Sequence, residues 1–228
     1  MKSAALWRGP RPQEGEDVVT ADQVASVILA RSGTWMTSMQ LQKLLYYVQS
    51  WHLAVTDQPL FPEHFKAYAD GPVIPQVWHT RKEQSTRRAE QDLTGIQLDE
   101  LSSNLIDLVV ASYGSHSGDE LSALTHTEAP WVEARGDVPD GAPSSAALSE
   151  ESMANFYREH RRLGGRSAAD LASGGVHVRQ PGVALVDVDA ILAAIPFVNP
   201  EDDWGGANLA DLTDADDWSP SRRAAVAW

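Results

Sequence analysis

The 228-residue sequence has no cysteine, which excludes disulfides, thiolate nucleophiles, iron–sulfur clusters and cysteine-ligated zinc, and favours a reducing compartment. Basic residues are also scarce. The 18 Lys and Arg residues stand against 32 Asp and Glu, which gives a net charge of −14. The electrostatic field of this negative charge repels phosphate backbones and anionic lipids. The composition therefore disfavours nucleic-acid and membrane binding and favours a basic protein partner.

Long hydrophobic runs are missing as well. Only four consecutive apolar residues precede Arg8, fewer than the apolar region of a signal peptide requires. The apolar stretch 183–198 contains Asp187, Asp189 and Pro196, and is too short and too charged to span a bilayer. The sequence therefore predicts a soluble, cytoplasmic protein.

What the sequence does contain is helical periodicity in a chain of ordinary hydrophobic content, 43 %. Thr20 is the expected N-cap of a helix over 21–31, and Thr37 with Gln40 forms a capping box that opens a helix to about residue 55. This second helix is apolar on most sides, which predicts a central position. Its small or polar stripe consists of Lys43, Ser50 and Ala54.

Further helices are expected over 75–81 and 99–113, after the capping box at Ser117, and after Ser149 as far as Gly164. Residues 65–68 alternate like a short strand, and residues 71–75 have the composition of a stiff turn. The predicted fold class is mainly α: a compact single-domain helical bundle with a small β element near residues 65–74.

Composition divides the chain into three parts. Residues 1–19 form a loose N-terminal arm, residues 20–163 the helical domain, and residues 164–228 an acidic, partly ordered C-terminal extension with short helices near 167–172 and 188–195. Three tryptophans lie among acidic residues near its end. These tail candidates for partner binding are Trp204, Trp218 and Trp228, with Asp214, Asp216 and Asp217. Either the rings anchor a segment that folds onto a basic partner, or they pack back on the helical core.

Motifs of known chemistry are absent. The histidines lack the HExxH pattern and i, i+4 pairs, and the sequence has no G-x-S-x-G, Walker A or G-x-G-x-x-G motif. The acidic clusters at 201–203 and 214–217 lack the spacing of a calcium loop. We therefore predict no metal, no cofactor and no catalytic residue. An enzyme would have to use dispersed active-site residues.

Two histidines each allow a structural and a functional interpretation. His52 lies on the apolar side of its helix, which favours a hydrogen-bonded core residue over a metal ligand. His126 beside Glu128 could pair as a general base and its orienting carboxylate, but a helix-corner network is the favoured interpretation.

The helix pair 21–31 and 37–55 also suggests a helix-turn-helix, and hence a DNA-binding transcriptional regulator as the alternative function. Its second helix contains one basic residue, Lys43, and is otherwise the most apolar in the chain. A recognition helix must expose polar groups to base edges, so nucleic acid is an unfavoured partner.

Several blocks resemble, in order and spacing over about residues 20–160, the Panacea domain of SocA-like antitoxins, a family that includes the phage-associated protein GepA. The blocks are LQKLLYY at 41–47, WHLA at 51–54, PLF at 59–61, AYADGPVIP at 67–75, LSALTH at 121–126 and EAPW at 128–131.

The resemblance implies a helical antitoxin without catalysis of its own, which binds and neutralises a protein toxin encoded nearby. Some family members act as adaptors that deliver the toxin to a protease. The motif positions are expected to hold the fold for the most part, with partner choice on variable surface and in the extensions. These positions are Leu41, Gln42, Lys43, Leu44, Leu45, Tyr46, Trp51, His52, Gly71, Pro72, Val73, His126, Pro130 and Trp131.

Overall fold

The structure is a computed structural model that describes residues 19–33, 35–81 and 91–173. It is mainly helical with one small antiparallel sheet, which confirms the predicted fold class. The helices are α1 (Ala21–Ser32), α2 (Ser38–Thr56), α3 (Pro75–Arg81), α4 (Glu100–Tyr113), α5 (Gly118–His126), α6 (Ala129–Arg135), α7 (Glu150–His160) and α8 (Ala168–Ser173). The strands are β1 (Lys66–Tyr68) and β2 (Gly71–Val73).

The helices begin where the sequence supplies a cap. Reciprocal capping boxes start α1 at Thr20, α2 at Thr37 and α5 at Ser117, so that a side-chain oxygen accepts from an otherwise unpaired backbone amide in each case. Asp99 and Ser149 cap α4 and α7 in the same way but without the reciprocal bond. The predicted starts of these five helices are confirmed.

Helix α2 is the centre of the molecule. Every residue from 41 to 54 is buried, and α1, α4, α5, α7, α8 and the β hairpin all pack against it. The predicted central position is therefore confirmed. The small or polar stripe of Lys43, Ser50 and Ala54 is buried as well.

The hairpin pairs Lys66 with Val73, Ala67 with Pro72 and Tyr68 with Gly71. The expected strand at its first arm is confirmed, whereas the second arm, expected to be a stiff turn, is a paired strand. The outer edge of β1 is also covered, since Ala67 N donates to the carbonyl of residue 146 at 2.8 Å and residue 148 N donates to the carbonyl of residue 65 at 3.0 Å. Pairing on both sides of β1 stabilises this short hairpin, which would be marginal alone.

At the carboxyl end of the described chain, α7 ends at His160, earlier than the expected Gly164. Packing continues beyond it, because Leu163, Ala168 and Leu171 are buried and α8 lies against α2 and α7. The tail candidates Trp204, Trp218, Trp228, Asp214, Asp216 and Asp217, and the predicted helix near 188–195, lie outside the described residues. No helix in the described ranges is long and apolar enough to cross a membrane.

Candidate functional site

The motif residues surround the β hairpin and hold its backbone. From α2, Gln42 Oε1 accepts a hydrogen bond from Ile74 N at 2.9 Å. One residue later, Lys43 Nζ donates to the carbonyl oxygens of Asp70 at 2.5 Å and Pro72 at 3.5 Å. The group of side chains that bind the hairpin backbone, called the hairpin clamp below, consists of Gln42, Lys43, Ser122, Trp131 and Arg135.

Helices α5 and α6 supply the other half of the clamp. Ser122 Oγ donates to the Asp70 carbonyl at 2.7 Å, so this oxygen accepts from two helices at once. Trp131 Nε1 donates to the Tyr68 carbonyl at 3.0 Å. Pro130 lies in the first turn of α6, where its missing amide costs no helical hydrogen bond. The hairpin therefore joins α2 to the α5–α6 corner.

Arg135 completes the clamp and extends it into the following loop. Its guanidinium lies 4.9 Å from the ring centroid of Trp131. It donates to the carbonyls of Ala67 at 3.4 Å, Pro139 at 2.8 Å and Ala142 at 2.9 Å. Because one planar fork satisfies several carbonyl groups, lysine could not replace it geometrically. Arg135 lies in no local motif, so the sequence alone does not single it out.

Gly71 is required where it stands. Its φ is +105°, a conformation that side chains rarely adopt, and a Cβ there would lie 2.5 Å from Lys43 Nζ and 2.7 Å from Thr125 Oγ1. The lysine and the hairpin can approach this closely only without a side chain at this position. Pro72 and Val73 follow in β2 and are buried with it.

Burial changes the titration of the clamp. It lowers the pKa of Lys43 to about 7, although Asp70 opposes the shift. It also lowers the pKa of His126 to about 3, with the positive charges of Lys43 and Arg135 adding to the effect. The neutral imidazole stacks on Trp131 with ring centroids 4.1 Å apart.

The geometry does not suit a serine nucleophile. Ser122 Oγ lies 3.5 Å from His126 Nε2, but its shorter hydrogen bond runs to the Asp70 carbonyl. A nucleophile needs its proton directed at the base, and here the proton is directed at the hairpin. The arrangement serves to join helices to the hairpin.

A second buried group lies behind the clamp, around Glu128. Its carboxylate accepts from Tyr46 OH at 2.9 Å and Tyr157 OH at 2.8 Å, and lies 3.6 Å from Arg161 Nε. Burial raises the pKa of Glu128 to about 7, against the opposing effect of Arg161 and the two hydroxyls. This carboxylate thus connects the α5–α6 corner to α2 and α7. The sequence places Glu128 in the EAPW block and beside His126, but gives no sign of its two tyrosine partners, which are 29 and 82 residues away.

The remaining motif residues form the core around α2. Leu41, Leu44 and Leu45 are at most 1 % exposed, and Trp51 packs edge-on against Tyr157 with ring centroids 5.4 Å apart. His52 is a hydrogen-bonded core histidine: its ring nitrogens lie 2.7 Å from the carbonyl of residue 58 and 3.1 Å from the hydroxyl of residue 102. Burial lowers its pKa.

These positions bear on the alternatives. A buried α2 cannot present side chains to DNA base edges, so it does not have the geometry of a recognition helix. Among the described residues, no group of three or more His, Cys, Asp or Glu side chains could hold a metal ion. The acidic clusters at 201–203 and 214–217 lie outside those residues.

Comparison with known proteins gives one family match. No curated protein and no solved structure matches the chain. Residues 41–132 match the family model described as antitoxin SocA-like, Panacea domain. The matched range contains α2 from residue 41 onward, the hairpin and every clamp residue except Arg135. The match confirms the resemblance found in the motifs: residues 41–132 of this chain are similar to the SocA-like Panacea domain.

Proposed function

We propose that the chain is an antitoxin that neutralises a cognate protein toxin, encoded nearby, by binding it directly. The observation that carries this proposal is the family match over residues 41–132. The motif side chains in that range hold a hairpin and a core, which leaves surface outside the motifs for a partner. The family assignment likewise favours a binding protein over an enzyme.

Charge supports a basic partner. A net charge of −14 would steer association with a positively charged surface, such as the RNA-facing cleft of a toxin that acts on the translation machinery. Masking that cleft would inhibit the toxin without any chemistry in the antitoxin. The tail residues Trp204, Trp218 and Trp228 are proposed as further anchors.

Co-expression tests the function. The product of the adjacent reading frame is expected to arrest growth alone, and to lose its toxicity when this chain is expressed with it. The purified proteins are expected to co-elute, with binding that weakens between low and physiological ionic strength. Persistent growth arrest at equal expression would overturn the proposal, and binding that is insensitive to salt would overturn its electrostatic part.

Two further readouts separate related roles. A toxin half-life that shortens when this chain is present would identify a protease adaptor, whereas a stable, inactive complex identifies inhibition by binding alone. Retention of the isolated protein on specific DNA would support a transcriptional regulator, and the buried α2 leads us to expect none.

A further inference from the structure

An open groove of about 420 Å³ lies between helices α6 and α7 on the outside of the molecule. It runs along the length of α7, from the residues of its first turn to its last residue. The lining includes Glu133 from α6, and Glu151, Ser152, Phe156, Glu159 and His160 from α7. A stripe of this kind, over three turns of helix, extends about 16 Å and can receive several residues of a partner.

The groove combines an aromatic surface with negative charge. Phe156 is partly exposed within it, and three carboxylates line the groove with the ring. Among the described residues, no Lys or Arg side chain lines it. An aromatic face flanked by carboxylates suits a guanidinium, which stacks on the ring and donates a planar fork to the oxygens.

The chain's own Arg161 shows this combination at the edge of the groove. Its guanidinium lies 4.6 Å from the ring centroid of Phe156, while its Nε lies 3.6 Å from a carboxylate oxygen of Glu128. One face of Phe156 is therefore already paired with an arginine and a carboxylate. The groove presents the remaining exposed surface of the same ring, together with the carboxylates of Glu159 and Glu133.

The groove walls are fixed in place. Ser152 Oγ donates to Glu133 Oε2 at 2.5 Å and joins the two helices across it. On the inner side of α7, Tyr157 is buried against α2 and bonded to Glu128. Further along, Arg158 donates to Asp57 Oδ1 at 2.6 Å. A preformed groove avoids much of the ordering cost of binding.

We propose that the α6–α7 groove is the docking site for an arginine-bearing segment of a basic protein partner, which is the toxin under the proposed function on which this inference rests. Helix α7 begins 18 residues beyond the end of the family match at 132. A surface outside the shared motif region is where chains with the same fold can differ in partner.

A peptide probe tests the groove without any toxin. The probe is acetyl-Ala-Arg-Ala-Ala-Arg-Ala-amide, with a citrulline peptide of the same shape but no charge as its control, titrated into the full ¹⁵N-labelled chain at low ionic strength. The arginine peptide is expected to shift amides of 129–133 and 149–160, and the citrulline peptide is expected to bind at least fivefold more weakly. Shifts spread evenly over the acidic surface would overturn the proposal.

Paired variants sharpen the result. Glu151→Gln with Glu159→Gln removes two exposed groove carboxylates and should weaken peptide binding at least fivefold. Glu100→Gln with Asp119→Asn removes two exposed carboxylates from α4 and α5, outside the groove, and should change binding less than twofold. Equal weakening by both pairs would indicate a general charge effect and overturn the site.

The same two pairs then distinguish the site from the function. If wild type neutralises the product of the adjacent reading frame, the groove variant should bind it at least tenfold more weakly than the control variant. Equal affinities would overturn the groove and leave the proposed function standing. If wild type neutralises nothing, the proposed function fails, and the peptide titration still decides whether the groove binds arginine.

Discussion

The hairpin clamp and the α6–α7 groove lie on two sides of one short helix, α6, and differ in almost every physical respect. The clamp is largely buried and directs its donors at backbone carbonyls of the chain itself. The groove is open and lined by exposed carboxylates. All but one of the clamp residues fall in the family match, whereas α7 lies outside it. The contrast supports our proposal that the shared motifs maintain the fold and that recognition belongs to the surface around them.

The largest expected effect comes from introducing an aspartate at a buried position of α2 and comparing it with an aspartate at an exposed position of α6. Leu44 is fully buried in α2, and Val132 is 47 % exposed on α6. Leu44→Asp buries an unpaired carboxylate and should cost roughly 5 kcal/mol, enough to unfold a marginal domain. Val132→Asp should cost less than about 1 kcal/mol. Thermal denaturation followed by circular dichroism measures both. A fully stable Leu44→Asp variant would contradict the placement of this face in the core.

A smaller effect on stability is expected from adding a side chain at Gly71, where the hairpin backbone lies against Lys43. Gly71→Ala combines a positive φ with a Cβ 2.5 Å from Lys43 Nζ, and should cost about 3 kcal/mol. Gly33→Ala is the matched control, since its φ is +62° but no atom lies within 4 Å of the added Cβ, and should cost about 1 kcal/mol. Denaturant unfolding gives the two values. Equal costs would mean that the lysine and the hairpin are not in contact.

The pH dependence of stability reports on the buried lysine. The folded pKa of Lys43 is lowered to about 7, while an unfolded lysine titrates near 10.4. Between these values the unfolded state binds more protons, so stability rises with pH. We expect a gain of about 2 kcal/mol between pH 7.5 and 9.0, which ends about one unit below the pKa of an unfolded tyrosine. Lys43→Met should flatten this rise. A flat wild-type curve would contradict the burial of a titrating amine.

Glu128 should give the opposite slope at lower pH. Its folded pKa is raised to about 7, and an unfolded glutamate titrates near 4.3, so the folded state binds more protons between them and stability falls as pH rises. His126, with its pKa lowered to about 3, opposes this trend up to about pH 6.5. The difference between wild type and Glu128→Gln isolates the carboxyl. Relative to the variant, wild type should lose about 3 kcal/mol from pH 4.5 to 7.5. Parallel curves would contradict a raised pKa.

Local signals in the sequence predicted the helices well. The capping residues Thr20, Thr37, Asp99, Ser117 and Ser149 each fix a helix start through bonds within three or four residues, which a sequence displays directly. The apolar faces of α2 predicted its central position for the same reason.

The site depends on long-range partners and was predicted less well. Lysine is normally exposed to solvent. Lys43 can be buried because its ammonium group donates to the carbonyls of Asp70 and Pro72, which are 27 and 29 residues away. The second arm of the hairpin has the composition of a turn and becomes a strand by pairing with β1. Single-sequence periodicity contains neither kind of information, so the motif residues could be named before their roles could be assigned.

The smallest expected change in stability comes from shortening the chain after Pro196. Removing residues 197–228 deletes no residue of the described core, so the melting temperature should change little. It does delete Trp204, Trp218 and Trp228 together with Asp214, Asp216 and Asp217, whose composition suits indole anchors steered by charge toward a basic partner. Affinity for the product of the adjacent reading frame should therefore fall at least tenfold, about 1.4 kcal/mol. A large drop in melting temperature would instead assign these rings to the folded core, and unchanged affinity with unchanged stability would remove the tail from recognition.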